Sequence, residues 1–155
     1  METTKQKIHW KLQAKQELAL LIEDADEILY GGGRGGGKTD TGIIWLIEPK
    51  YISESRYRGL VIRRNADDLR DWEDRAEYLY RPLQAKFTGK PTEIAFTTGA
   101  KVRTGHLKDD SAYTKYQGHE YQKILFEELT HIASEDDYEK LIASNRSTIQ
   151  GIKPK

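Results

Sequence analysis

The spacing of apolar residues along this chain changes period several times, and each change marks an element. Leu18, Leu21 and Ile22 recur on one stripe and predict a helix over residues 11–23. Ile28, Leu29 and Tyr30 form a short apolar run that breaks off into glycine, the pattern of a buried strand. "TDTGIIWLI" (39–47) is apolar on most sides and predicts a helix packed against a sheet. "GLVIRR" (59–64) predicts a second buried strand. The next helix has the cleanest period. Asn65 caps it with Asp68 at the third helical position, and Leu69, Trp72, Ala76, Leu79 and Leu83 follow at spacings of three and four. "TEIAFTTGAKVRTGHL" (92–107) predicts two strands joined at Gly99-Ala100. "KILFEELTHI" (123–132) contains a third buried strand through Ile124, Leu125 and Phe126. Ser134, with Asp137 three residues on, opens a last helix running to about Ser144. Strands alternating with helices predict an α/β sheet with an inserted β-hairpin.

Composition narrows this picture without redirecting it. A chain of 155 residues is long enough for one domain with a single core. It is 37% hydrophobic and 32% charged, polar for a globular protein but outside the disordered class. Lys+Arg and Asp+Glu are both 25, so the formal charge is zero. That argues against a strongly basic DNA-coating protein and leaves a local basic face open. The absence of cysteine rules out disulfides and thiolate metal sites and fits a cytosolic protein. No run approaches the ~18 apolar residues of a membrane span. The opening "METTKQKIHW" is too polar for a signal peptide. His106, His119 and His131 lack metal-ligand spacing, so no zinc is expected.

The candidate chemistry begins with the glycines. Gly32-Gly33-Arg34-Gly35-Gly36-Gly37-Lys38-Thr39 matches G-x-x-x-x-G-K-[ST], the phosphate-binding P-loop, between an expected strand and an expected helix. Glycines permit positive φ and bare backbone, so successive N–H groups can converge on phosphate oxygens. The helix that follows points its positive end at the same anion. In this pattern Lys38 reaches the β- and γ-phosphates of ATP, and the Thr39 hydroxyl binds Mg²⁺. Arg34 reads either as a solvated loop residue or as an arginine finger acting in cis on charge at the γ-phosphate.

Hydrolysis needs a second half, an apolar strand ending in acids. "KILFEE" supplies it, with Glu127 and Glu128 at the carboxyl end of the strand, where open α/β sheets bind ligands. Glu127 is assigned to Mg²⁺, largely through water, and Glu128 to the attacking water as general base. The first acid of such pairs is usually Asp, so Glu127 departs from the pattern. Gln16 could recognise adenine through its amide, or lie on the surface. Arg63 and Arg64 end the second strand on the presumed ligand face and could touch phosphate or DNA, or be solvated.

Three stretches taken together resemble the large terminase subunit of tailed bacteriophages. They are "KQELALLIEDADEILYGGGRGGGKTDTGIIWLI", "RGLVIRRNADDLRD" and "FTTGAKVRTGHLKDDSAYTKYQGHEYQKILFEELTHI". The similarity runs in order from about Gln16 to Thr148, and "KYQGHEY" leading into "FEELTH" is its most specific part. The resemblance implies a RecA-like P-loop ATPase domain of the ASCE type, with a mainly parallel sheet, followed in the family by a ribonuclease H-like nuclease domain. It implies an ATP-driven motor that packs double-stranded DNA into a procapsid through the portal protein, with the small terminase subunit as a further partner. It also implies a homo-oligomeric ring on the portal, no membrane, and the cytoplasm of the infected bacterial host. By position, Lys38 and Thr39 match the Walker A lysine and hydroxyl, and Arg34 the arginine of the terminase loop. Glu127 and Glu128 match the Walker B acid and catalytic glutamate, and Gln16 the adenine-binding glutamine. In "LIASNRST" Arg146 keeps the second arginine of a family segment, while Ser144 stands at the first.

Residues 1–155 thus read as a partial ATPase domain, without the nuclease domain. In RecA-like folds the strand after "KILFEE" lies between it and the strand before the loop. The expectation is therefore a sheet lacking at least one central strand, poorly stable and weakly active in isolation. Two readings compete with the motor: another P-loop enzyme such as a helicase or nucleotide kinase, and a truncated fragment that binds nucleotide without turnover.

Overall fold

The two apolar sides of "GLVIRR" set the architecture. The computed structural model describes residues 10–33, 37–109 and 111–155. Its helices are α1 (Ala14–Leu20), α2 (Lys38–Leu46), α3 (Pro49–Ile52), α4 (Leu69–Tyr80) and α5 (Glu135–Ile142). Its strands are β1 (Arg58–Arg63), β2 (Lys86–Thr88), β3 (Glu93–Ala95), β4 (Lys101–His106) and β5 (Lys123–Phe126). In β1, Leu60 and Ile62 join one core and Val61 the other, all fully buried. Successive side chains of a strand point to opposite faces, so an apolar run of this kind belongs inside a sheet covered on both sides.

The sheet order is β2-β3-β4-β1-β5. β1 is parallel to both β4 and β5, while β2-β3 and β3-β4 are antiparallel. The expected hairpin is present as β3-β4, turning at Gly99 with φ 96°. Its second strand is also the inner neighbour of β1, so the sheet is mixed rather than mainly parallel. One face is covered by α2 and α4, through Ile43, Leu46, Leu69, Trp72, Ala76 and Leu79. The other carries Leu107, Ala112, Tyr116, Tyr121 and Leu141 against Leu60, Ile62 and Ile124.

Several expectations need correction. α1 is shorter than residues 11–23, and its supposed apolar stripe faces outward: Leu18 is 69% and Leu21 67% exposed. The side it buries holds Gln16 and Ala19 instead. Ile28, Leu29 and Tyr30 are not a strand, and Leu29 is 84% exposed. A strand requires ladder partners for its N–H and C=O groups, and the outer edge of β5 meets Lys155 instead. Lys155 N–H donates to Gln122 O at 2.8 Å and Ile124 N–H to Lys155 O at 3.0 Å. Lys153 and Lys155 in turn donate to the carbonyls of Asp24 and Ile22. Leu83 falls outside α4 in a 3₁₀ turn and is half-exposed. β2 and α3 are elements the apolar spacing did not announce. Among the described residues no helix is long and apolar enough to cross a membrane.

Candidate active site

The glycine loop is braced at both ends by consecutive residues of α1. Lys15 Nζ donates to Gly31 O at 3.2 Å, and Gln16 Nε2 donates to Gly37 O at 3.1 Å. Gln16 Oε1 accepts from Gln13 N–H, and the side chain is buried. Among the described residues, one N–H and one lone pair of its amide are thereby committed. Gly37 caps α2 in the left-handed region at φ 68°, and a Cβ there would meet Gln16 Nε2 at 2.5 Å. Glycine is required on both counts. Lys38 folds back over the loop, its ammonium donating to Gly32 O at 2.7 Å and Gly33 O at 2.9 Å. Thr39 lies beside it in the first turn of α2, while Thr41 Oγ1 donates to Gly37 O at 2.8 Å.

α2 is fixed from outside by Asp40. Its carboxylate accepts from Arg75 Nε of α4 at 2.7 Å and from Trp10 Nε1 at 3.1 Å. The Arg75 hydrogen bonds hold it below the usual carboxylate range. The helix approaches β5 at Gly42, where a Cβ would stand 2.9 Å from Leu125 Cδ2 and 3.4 Å from Glu127 Oε1. That close approach brings the acid against the helix that starts at Lys38.

Glu127 continues β5, its N–H donating to Ile62 O at 2.9 Å. Its side chain is only 9% exposed. Burial pushes the carboxyl up; Arg63 and Lys38 pull it back, and Glu128 adds to the rise. Glu128 turns out of the sheet at φ 55°, ψ 57°, half-exposed, with His131 Nδ1 at 3.0 Å from its Oε2. Non-glycine residues hold that conformation only when their surroundings impose it, and it concentrates at functional sites. Arg63 Nη2 lies 3.6 Å from Glu127 and 4.0 Å from Glu128.

Lys38, Glu127 and Glu128 therefore share one neighbourhood at the carboxyl ends of β1 and β5, with Gly32, Gly33, Gly37, Thr39 and Gln16 around the loop. Arg34, Gly35 and Gly36 lie outside the described residues. Arg146 is exposed, and Ser144 is buried with its hydroxyl on Tyr116 O. Sequence reasoning missed Lys15, Asp40 and Gly42, and left the role of Arg63 open. Gly42, alone inside an apolar helix, was the one visible sign of close packing. Chemically, an ammonium and a helix N-terminus can hold an anion, while an exposed carboxylate beside a buried one can take a proton.

A sequence model of the family described as "Terminase large subunit, T4likevirus-type, N-terminal" matches residues 29–154. No curated protein and no solved structure matches the chain. The matched span contains both the glycine loop and the acidic pair.

Proposed function

Because the chain belongs to the family of N-terminal regions of T4-type terminase large subunits, we propose that it is the ATP-hydrolysing part of a motor that drives double-stranded DNA into a phage procapsid. The observation that carries this reading is the close approach of α2 to β5 at Gly42, which sets Lys38 and Glu127 within electrostatic reach of each other.

ATP is the substrate. The Lys38 ammonium exchanges the Gly32 and Gly33 carbonyls for β- and γ-phosphate oxygens, helped by the N-terminus of α2. Glu128 takes a proton from water as the water oxygen bonds to the γ-phosphorus and the bond to the departing ADP oxygen breaks, leaving ADP and phosphate. Its half-exposed carboxylate leaves room for that water. Thr39 and Glu127 offer hard oxygen donors, and among the described residues no three His, Asp or Glu side chains gather that could hold a metal by themselves. Thr39 and Glu127 would hold Mg²⁺, which when bound would supply charge neutralisation on the phosphates. Arg34 acts in cis on the γ-phosphate, and the Gln16 amide recognises adenine. A RecA-like sheet, a ring on the portal protein, contact with the small terminase subunit, and the cytoplasm of the infected host complete the reading.

A second reading, nucleotide binding without turnover, is favoured by one observation. Residues 27–33 form no strand, and the outer edge of β5 is paired at Lys155, so one wall of the site lacks a ladder. Binding of a fluorescent ATP analogue and Mg²⁺-dependent phosphate release separate the two. Lys38→Ala is expected to abolish both, and Glu128→Gln to abolish release while keeping affinity. Wild-type release from Glu128→Gln removes the hydrolytic assignment, and wild-type binding by Lys38→Ala removes the loop assignment.

A further inference from the structure

Arg63 is a cation for which the proposed chemistry has no role. It ends β1, opposite His106 of β4, one residue beyond the Ile62–Phe126 pairing with β5. The guanidinium therefore emerges at the carboxyl end of β1, beside the acids that continue its neighbour β5. Its side chain is only 16% exposed. Nη1 donates to Asp68 O at 2.6 Å, on the segment leading into α4. Nη2 faces Glu127 Oε2 at 3.6 Å and Glu128 Oε1 at 4.0 Å. Among the described residues the buried Nε atom has no partner.

A guanidinium is a rigid planar fork, so pinning one arm fixes the place of the other. Here the fixed arm lies between two carboxylates on adjacent residues, which would otherwise repel each other. An arginine that served only packing would not need its second arm there, and a solvated one would not be this buried. The orphaned Nε is consistent with the same account. Buried guanidinium donors are normally satisfied, and this one is left over because the fork is oriented by Asp68 and the acids.

We propose that Arg63 is the positioning residue of the acidic pair. It holds Glu127 against α2 and Glu128 outward, and so sets how strongly Mg²⁺ raises affinity for ATP. This rests on the functional reading above, and its test is chosen to fail separately.

Two measurements on the 155-residue chain decide it. The first needs no ligand: thermal unfolding of Arg63→Ala, Glu127→Gln and the double variant. Positioning predicts that the double variant loses clearly less than the sum of the singles; additive losses overturn the proposal. The second titrates a fluorescent ATP analogue with Mg²⁺ or with EDTA. Arg63→Ala is expected to lower the Mg²⁺-dependent gain in affinity about 10–100-fold, the usual effect of removing a partner of a metal ligand, and to leave binding in EDTA within about twofold. Arg63→Lys, which keeps charge but not the fork, should recover part of the gain and carries the test should Arg63→Ala fail to fold. An unchanged Mg²⁺ gain in Arg63→Ala, or equal losses with and without Mg²⁺, overturns the positioning role alone. A wild-type chain indistinguishable from Lys38→Ala overturns the loop reading and this inference with it.

Discussion

Gly37 shows how much of the site depends on a missing side chain. Its φ of 68° lies where an L-residue costs about 1–2 kcal/mol, and a Cβ would collide with the Gln16 amide that braces the loop. Gly33, four residues earlier, has no positive φ, and among the described residues nothing lies within 4 Å of a Cβ placed there. Gly37→Ala is therefore expected to lose at least about 1–2 kcal/mol in thermal or urea unfolding and to weaken ATP-analogue binding. Gly33→Ala should stay within about 0.5 kcal/mol of wild type, the range of an unconstrained surface change. Equal effects from the two would mean that the loop does not have this geometry. The sequence showed that these glycines mattered collectively. It did not show which one carries strain, because strain at Gly37 comes from Gln16, twenty-one residues away. The same limit hid Arg63: its meeting with Glu127 depends on β1 and β5 being neighbours, which no local pattern encodes.

At the scale of elements, β5 was legible in "KILFEE", but the environment of its first residue was not. Lys123 looks like a solvated strand end and is instead fully buried. Its ammonium donates to Trp45 O at 2.6 Å and Glu48 Oε2 at 2.7 Å, over the rings of Tyr51 at 4.0 Å and Trp45 at 4.4 Å. Charged hydrogen bonds contribute roughly 1.5–3 kcal/mol each and cation–π contacts ~0.5–2, yet desolvation of a buried charge costs several kcal/mol. Desolvation wins: burial pulls the amine down to about 8, with Glu48 opposing. The unfolded lysine titrates near ~10.4. Above about 8 the native state releases its proton first, the unfolded chain holds more protons, and stability rises with pH. Tyr51, pushed up to about 12 by burial, reverses the slope once unfolded tyrosine ionises, near ~10. Urea unfolding of the wild type should therefore show a gain between roughly pH 8 and pH 9.5 that Lys123→Met lacks. At pH 7.5, Lys123→Met should be about as stable as wild type, since Glu48 is partly exposed and can be solvated. Matching pH slopes in the two proteins would remove the caged ammonium as their source. α1 failed in the opposite sense. Leu18 and Leu21 have helical spacing, but the face that packs is chosen by what the neighbouring loop needs, namely the amide of Gln16.

Across the whole molecule, order should follow how completely each strand is paired. β1 bonds on both edges and is covered on both faces, with Leu60, Val61 and Ile62 fully buried. β5 pairs with β1 along its inner edge, and on its outer edge it meets Lys155. Residues 27–33, expected as a strand from apolar composition, have no strand pairing and hold Leu29 in solvent. An apolar triplet before glycine can only say that a strand would be favourable there; a partner has to exist for one to form. The α/β class, the hairpin at Gly99 and the acids at the end of β5 were legible because each is written in contiguous residues. The position of β1 between β4 and β5 was not, since it is set by which edges find each other in three dimensions. Amide hydrogen exchange reads this hierarchy directly. The amides of Leu60, Val61 and Ile62 should exchange near the rate of global unfolding, those of Leu125 and Phe126 more readily, and those of Ile28, Leu29 and Tyr30 at close to the open-chain rate. Lys153 and Lys155 hold the carbonyls of Asp24 and Ile22 through side chains alone, which constrains position without protecting an amide. Protection at Ile28–Tyr30 equal to that in β1 would mean that this segment does form a ladder and that the sheet has a sixth member. A rise in their protection on adding ATP analogue and Mg²⁺ would instead tie the ordering of this segment to occupation of the loop it leads into.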